Sequence, residues 1–175
     1  MLGVGEKFPD FKLTAVDTNK AFKEVTGKSY KGKWLVVFFW PKDFTFVCPT
    51  EIVAFSEIEK EFAQRGAQVL GVSTDSEYVH LAWREHHPGL KNLTFPMLSD
   101  VKRDLSTALG IIDPNAGVAQ RAAYLVDPEG TIRFVMVTDL GTGRNPAEVL
   151  RVLDALQTGE LCPASWQKGQ KVIKA

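Results

Sequence analysis

The sequence has no net charge, no apolar run long enough to cross a bilayer, and only two cysteines in 175 residues. Lys plus Arg and Asp plus Glu number 21 each, so no field of either sign draws the chain to nucleic acid or to an anionic membrane surface. The longest strongly apolar run, WLVVFFW at 34–40, falls far short of the about 20 residues a membrane helix needs. The opening MLGVGEKF lacks the basic stretch and apolar segment of an export signal, and the chain is expected to be soluble and cytoplasmic. Two cysteines are too few for a secreted disulfide scaffold, so Cys48 and Cys162 are either unrelated core thiols or a pair that meets for a purpose. There is no Cys-x-x-Cys, which argues against a dithiol exchanger that works alone. His80, His86 and His87 crowd one charged stretch without carboxylate or thiol partners at ligand spacing. GVGEKF and GTGRNP lack the dinucleotide fingerprint, so neither a metal nor any other cofactor is expected.

What is present is enough apolar material, 45% of residues, for a real core in one ordinary domain. WLVVFFW reads as a buried strand that stops at Pro41. From Pro49 to Gly66, apolar residues at three- and four-residue steps predict one amphipathic helix. AQVLGVSTDS is a second strand running into a polar cap, and Glu77 to His87 a second helix. A short helix over Lys102–Leu109, a hairpin of AAYLV and TIRFVMV around DPEG, and a last helix over Pro146–Leu156 complete the pattern. A parallel β-α-β unit followed by an antiparallel hairpin and a helix predicts an α/β fold, a mixed central sheet with helices on both faces.

Within this pattern PKDFTFVCPTE, residues 41–51, sets Cys48 at the start of the first long helix, with Pro49 in its first turn. Unpaired backbone N–H groups and the helix dipole at such an end favour thiolate over thiol. At pH 7 an ordinary thiol is about 3% ionised, so full ionisation gains only about 30-fold in nucleophile. Fast chemistry therefore needs donors aimed at a leaving oxygen as well. Thr45, three residues upstream, carries a hydroxyl that both donates and accepts, and Pro41 bounds the loop. Arg121, just ahead of AAYLV, reaches Cys48 if that strand lies beside WLVVFFW. A buried structural thiol is the competing reading of Cys48.

FFWPKDFTFVCPTEI closely resembles the active-site segment of typical two-cysteine peroxiredoxins of the alkyl hydroperoxide reductase C type. GVSTDSEYVHLAWRE, FPMLSDVKRDLSTALGI, GVAQRAAYLVDPEGTIRFV, GRNPAEVLRVLDALQ and ELCPASW follow the order and spacing of that family, so nearly the whole chain is covered. The resemblance implies a thioredoxin-like fold, with a peroxiredoxin domain over 1–160 and a C-terminal segment, 161–175, carrying the second cysteine. It implies Cys48 as the peroxidatic cysteine, Thr45 as holder of the peroxide oxygens, Pro41 as shield against water, and Arg121 as stabiliser of thiolate and transition state. Glu51 matches an acidic position that pairs with arginine, and Arg144 an arginine that supports it. For Glu51 a solvated helix position, and for Arg144 an ordinary loop arginine, are the plainer readings. Cys162 matches the resolving cysteine, which in the family usually forms its disulfide with the partner subunit's peroxidatic cysteine.

The same resemblance implies hydrogen peroxide and alkyl hydroperoxides as substrates, and homodimers that assemble into decamers or dodecamers. The reductant is an external dithiol: thioredoxin, a flavoprotein reductase, or a D-type disulfide partner of actinobacterial systems. An antioxidant peroxidase is the leading reading; a redox-responsive, ring-forming holdase or interaction protein is the alternative. The Gly-Gly-Leu-Gly segment of overoxidation-sensitive members is replaced by REHHPGLKNLTF, and no Tyr-Phe follows Cys162. Cys48 is therefore expected to resist conversion to sulfinic acid.

Overall fold

The computed structural model describes residues 1–174. Seven strands form one sheet: β1 (Lys12–Val16), β2 (Phe22–Thr26), β3 (Trp34–Phe39), β4 (Ala67–Ser73), β5 (Met97–Ser99), β6 (Arg121–Val126) and β7 (Ile132–Thr138). Their order across the sheet is β2-β1-β5-β4-β3-β6-β7. Among the described residues five α-helices accompany them: α1 (Val47–Glu57), α2 (Glu59–Gln64), α3 (Glu77–His86), α4 (Asp104–Ala108) and α5 (Pro146–Thr158).

The predicted crossover is present, since β3 pairs in parallel with β4 and β4 in parallel with β5. The predicted hairpin is β6–β7, and β6 also pairs antiparallel with β3. The central strand is covered on both sides. Val36, Phe38 and Trp40 join α1, α2 and α5 in one core, while Val37, Phe39 and Leu35 face a second core with Leu105, Leu109, Phe11 and Tyr124. This alternation places every residue of WLVVFFW after the first out of solvent, which is why the run is continuously apolar.

Several expectations need correction. The single helix over 49–66 is two: Ile58 leaves helical geometry (φ −106°, ψ 10°) and α2 restarts at Glu59. α1 also begins earlier, at Val47, so Cys48 lies inside the first turn rather than ahead of it. The helix expected over 102–109 is confined to Asp104–Ala108, because Arg103 takes the left-handed conformation (φ 61°) just before it. The N-terminal hairpin β1–β2 and the short strand β5 were not anticipated. β1 and β5 together extend the sheet beyond β4.

Candidate active site

The C-terminal end of β3 delivers the chain through Pro41 into the loop that ends in α1. Cys48 is 1% exposed, and its Sγ points to Arg121 Nη1 at 3.4 Å. The β3–β6 pairing brings this about, since Phe38 lies opposite Ala123 and the next residues of the two strands converge on the same end of the sheet. Arg121 is itself fixed. Its Nε donates to the Leu140 carbonyl (2.7 Å) and its Nη1 to Glu51 Oε2 (2.6 Å).

Glu51 stands one helical turn after Cys48 and is almost wholly buried, so it is not the solvated helix residue that its charge alone suggested. Its other oxygen, Oε1, accepts from Arg144 Nε (2.7 Å) and from the Arg144 backbone N–H (2.8 Å). Arg144 is likewise buried; it donates to the Ala122 carbonyl and lies over the Phe38 ring, 5.6 Å from the centroid. Burial by itself pushes the Glu51 carboxyl up, but the hydrogen bonds and charge of Arg144, joined by the charge of Arg121, outweigh it and hold the group below the ordinary glutamate range. Burial pulls the Arg144 guanidinium below its usual value, opposed by Glu51, and it remains a cation at any working pH. The result is one carboxylate clamped between two guanidinium groups, one of which also faces the sulfur.

Beside this pair lies an open cleft of about 310 Å³ lined by Pro41, Thr45, Cys48, Arg121, Val118 and Leu140, among others. The Thr45 hydroxyl donates to the Lys42 carbonyl (2.9 Å), leaving its oxygen lone pairs free to accept. Phe46, between Thr45 and α1, is 93% exposed and serves as the N-cap residue of α1 without any side-chain capping bond. The arrangement therefore offers a buried sulfur, a cationic donor at its side and a hydroxyl acceptor at the mouth. Cys162 is elsewhere. Its sulfur is near Thr158 Oγ1 (3.4 Å) and the Ala155 carbonyl (3.8 Å), in a separate groove of about 540 Å³ alongside α5. Both thiols are free.

Sequence reading missed the anchor of the loop. His80 was set aside for want of a partner, yet it is fully buried, with Nδ1 2.7 Å from Asp43 Oδ2 and Nε2 3.1 Å from the Leu98 carbonyl. Asp43 Oδ1 accepts from Trp40 Nε1 (2.7 Å), and the Asp43 N–H is held by Asp75 Oδ2 (2.9 Å). Burial raises the Asp43 carboxyl above its ordinary range, with the Asp75 charge adding to the rise and His80 and Trp40 opposing it. Among the described residues no group of three or more His, Cys, Asp and Glu side chains is disposed to hold a metal. No helix among them is long and apolar enough to cross a membrane.

Known proteins match the chain in sequence and in fold. An alkyl hydroperoxide reductase C from Mycolicibacterium smegmatis is 52% identical over all of this chain and 95% of its own length. The solved Mycobacterium tuberculosis AhpC superposes with a TM-score of 0.87 at 52% identity, covering 95% of this chain and 99% of that one. A reduced 2-Cys peroxiredoxin from Plasmodium vivax superposes with a TM-score of 0.94 at 37% identity, over 99% and 94% of the two chains. The thioredoxin-like fold is common to all of them. Residues 4–135, which hold β1 through most of β7 together with Cys48, Glu51 and Arg121, match the AhpC/TSA family, and the chain belongs to it.

Proposed function

We propose that this chain is a peroxiredoxin, a thiol-dependent peroxidase that reduces hydrogen peroxide and small alkyl hydroperoxides in antioxidant defence. The observation that carries the reading is Arg121 Nη1 at 3.4 Å from the buried Cys48 sulfur, at the back of a cleft that also presents Thr45 and Pro41. The Cys48 thiolate attacks the terminal oxygen of the hydroperoxide in line. The S–O bond forms, the O–O bond breaks, and the leaving oxygen departs as water or an alcohol once it has taken a proton, with Cys48 left as the sulfenic acid. Arg121 gains interaction as charge builds on the leaving oxygen, and Thr45 holds the substrate O–H. Pro41, with no N–H of its own, keeps one wall of the cleft apolar. Glu51 and Arg144 hold Arg121 in place.

The Cys162 thiol then displaces hydroxide from the sulfenic sulfur, giving a disulfide and water. Because Cys48 sits inside the first turn of α1 and Cys162 lies in another groove, that turn must unravel before the sulfurs reach bonding distance. We take the pair to come from two subunits of a homodimer, with dimers building a decamer or dodecamer. Exposed Phe44, Phe46 and Tyr78 are suitable contact material for such a ring. An external dithiol, thioredoxin or a D-type or flavoprotein partner, returns both thiols by exchange in the cytoplasm.

The test is the intact mass of the reduced protein after one equivalent of hydrogen peroxide per chain, under non-reducing denaturing conditions. A covalent dimer linked Cys48 to Cys162 is expected. An unchanged monomer with both thiols free would refute peroxidase chemistry; an oxidised monomer would refute only the intersubunit resolution.

A further inference from the structure

We propose that Asp75 is a positioning residue for the reaction at Cys48, acting through Thr45; the inference rests on the peroxidase reading above. Asp75 lies just past the C-terminal end of β4 and touches no part of the cleft. It is fixed from three directions. Ser73 Oγ donates to its Oδ2 (2.7 Å), Ser73 Oγ also accepts the Asp75 N–H (3.0 Å), and Ser99 Oγ at the end of β5 donates to the Asp75 carbonyl (2.7 Å). The strand ends thus present one carboxylate oxygen, and that oxygen accepts the Asp43 N–H at 2.9 Å.

The Asp43 N–H belongs to the Lys42–Asp43 peptide unit, a rigid plane whose other pole is the Lys42 carbonyl. That carbonyl accepts the Thr45 hydroxyl proton at 2.9 Å. Asp75 and Thr45 therefore grip opposite ends of one peptide plane. Two consequences follow. The Thr45 proton is committed to Lys42, so only lone pairs face the cleft, and Thr45 can hold a hydroperoxide by its O–H but cannot donate to it. An anion on the N–H also polarises the amide, making Lys42 a stronger acceptor and the Thr45 oxygen richer in electron density. The cleft is left with a division of labour, acceptor at Thr45 and donor at Arg121, which orients an unsymmetrical O–O bond toward the sulfur.

The Asp43 side chain is held independently by Trp40 and His80, so the loop stays attached when Asp75 is changed. What is released is the tilt of one peptide plane.

The experiment measures two rates at Cys48 in each variant of the full chain: reaction with hydrogen peroxide, and alkylation by iodoacetamide, which needs the thiolate but not Thr45. Asp75→Ala is expected to slow the peroxide reaction about tenfold with alkylation unchanged within about twofold. Asp75→Asn, whose amide oxygen still accepts the Asp43 N–H, is expected to stay within about threefold of wild type. Thr45→Val is expected to slow the peroxide reaction by at least as much as Asp75→Ala, and the Asp75→Ala, Thr45→Val pair no further than Thr45→Val alone. Equal slowing of both rates by Asp75→Ala, an unaltered peroxide rate, or additive losses in the pair would each overturn the inference. If Asp75→Ala does not fold, Ser73→Ala frees the same carboxylate and is read by the same two rates. A wild-type chain that does not consume peroxide, or a Thr45→Val variant at full rate, would instead sink the peroxidase reading of the cleft.

Discussion

Replacing Glu51 with glutamine keeps the shape of the clamp and removes its charge. In the native site the two carboxylate oxygens accept three short N–H bonds, at 2.6, 2.7 and 2.8 Å, from two arginines. A glutamine carbonyl can serve one side only. Its amide turns a donor toward the other guanidinium, donor against donor, and two buried cations are left without a counter-ion. Breaking a buried pair in this way costs about 3–5 kcal/mol, and the surviving acceptor places Glu51→Gln at about 3. For a chain of this length that corresponds to a melting point about 6–12 °C lower. Because the folded-state pKa of Glu51 is depressed, its stabilisation is fully present above the ordinary glutamate value near 4.3 and is lost as pH falls through the lower folded value. The difference in melting point between wild type and variant should therefore be constant from pH 7 to about 5 and narrow below about 4.3. Arg121 keeps its bond to Leu140 but loses the partner that aims it at the sulfur, so the peroxide rate should fall about 10- to 100-fold. Calorimetric scans across pH with stopped-flow peroxide kinetics check both arms. A melting point within 2 °C of wild type, or a difference that does not shrink in acid, would refute the reasoning.

Gly71→Ala should cost about 1–3 kcal/mol, read by urea titration, since a Cβ there would sit 2.8 Å from the Trp40 ring, 3.1 Å from Phe95 and 3.2 Å from Phe38 with no room to move. Asp100→Ala should cost about 2 kcal/mol in the same assay, because this buried carboxylate accepts from the Leu105 and Ser106 N–H groups and the Ser106 hydroxyl at the start of α4. Cys48 should resist overoxidation: mass spectrometry after several turnovers at micromolar peroxide should find disulfide and negligible sulfinic acid, and abundant sulfinylated Cys48 would contradict that.

How much could be read beforehand depended on whether the signal was local. WLVVFFW declared a doubly covered strand by its unbroken apolarity, and the parallel crossover followed from strand, helix and strand in succession. KLTAV and FKEVT carry a weaker version of such a signal around the DTNK turn; β1 and β2 went unread because only Ala15, Val16 and Val25 are buried. The break at Ile58 was invisible because apolar spacing runs through it into Phe62, so periodicity alone gives one helix. In the site, Pro41, Thr45 and Cys48 fall within eight residues and were legible as a motif, whereas Arg121 reached Cys48 only on the condition that its strand lay beside WLVVFFW, as β6 lies beside β3. The Asp43–His80–Asp75 anchor was not legible: Asp43 lies more than thirty positions from both of its partners, and nothing about a histidine among charged neighbours says that it is buried.

The bare N-terminus of α1 has a consequence for timing. A side-chain cap is typically worth about 1 kcal/mol, and its absence at Phe46 makes the frayed state of that turn about five times more populated than a capped helix would allow. Fraying is then a standing fraction of the resting ensemble, and in the proposed reaction a sulfenic acid at Cys48 would need only wait for the next excursion rather than drive one. On the proposed peroxidase reading, position 46 would then work as a clock setting: a capping side chain there would lengthen the time an oxidised Cys48 spends inside the cleft before it meets another thiol.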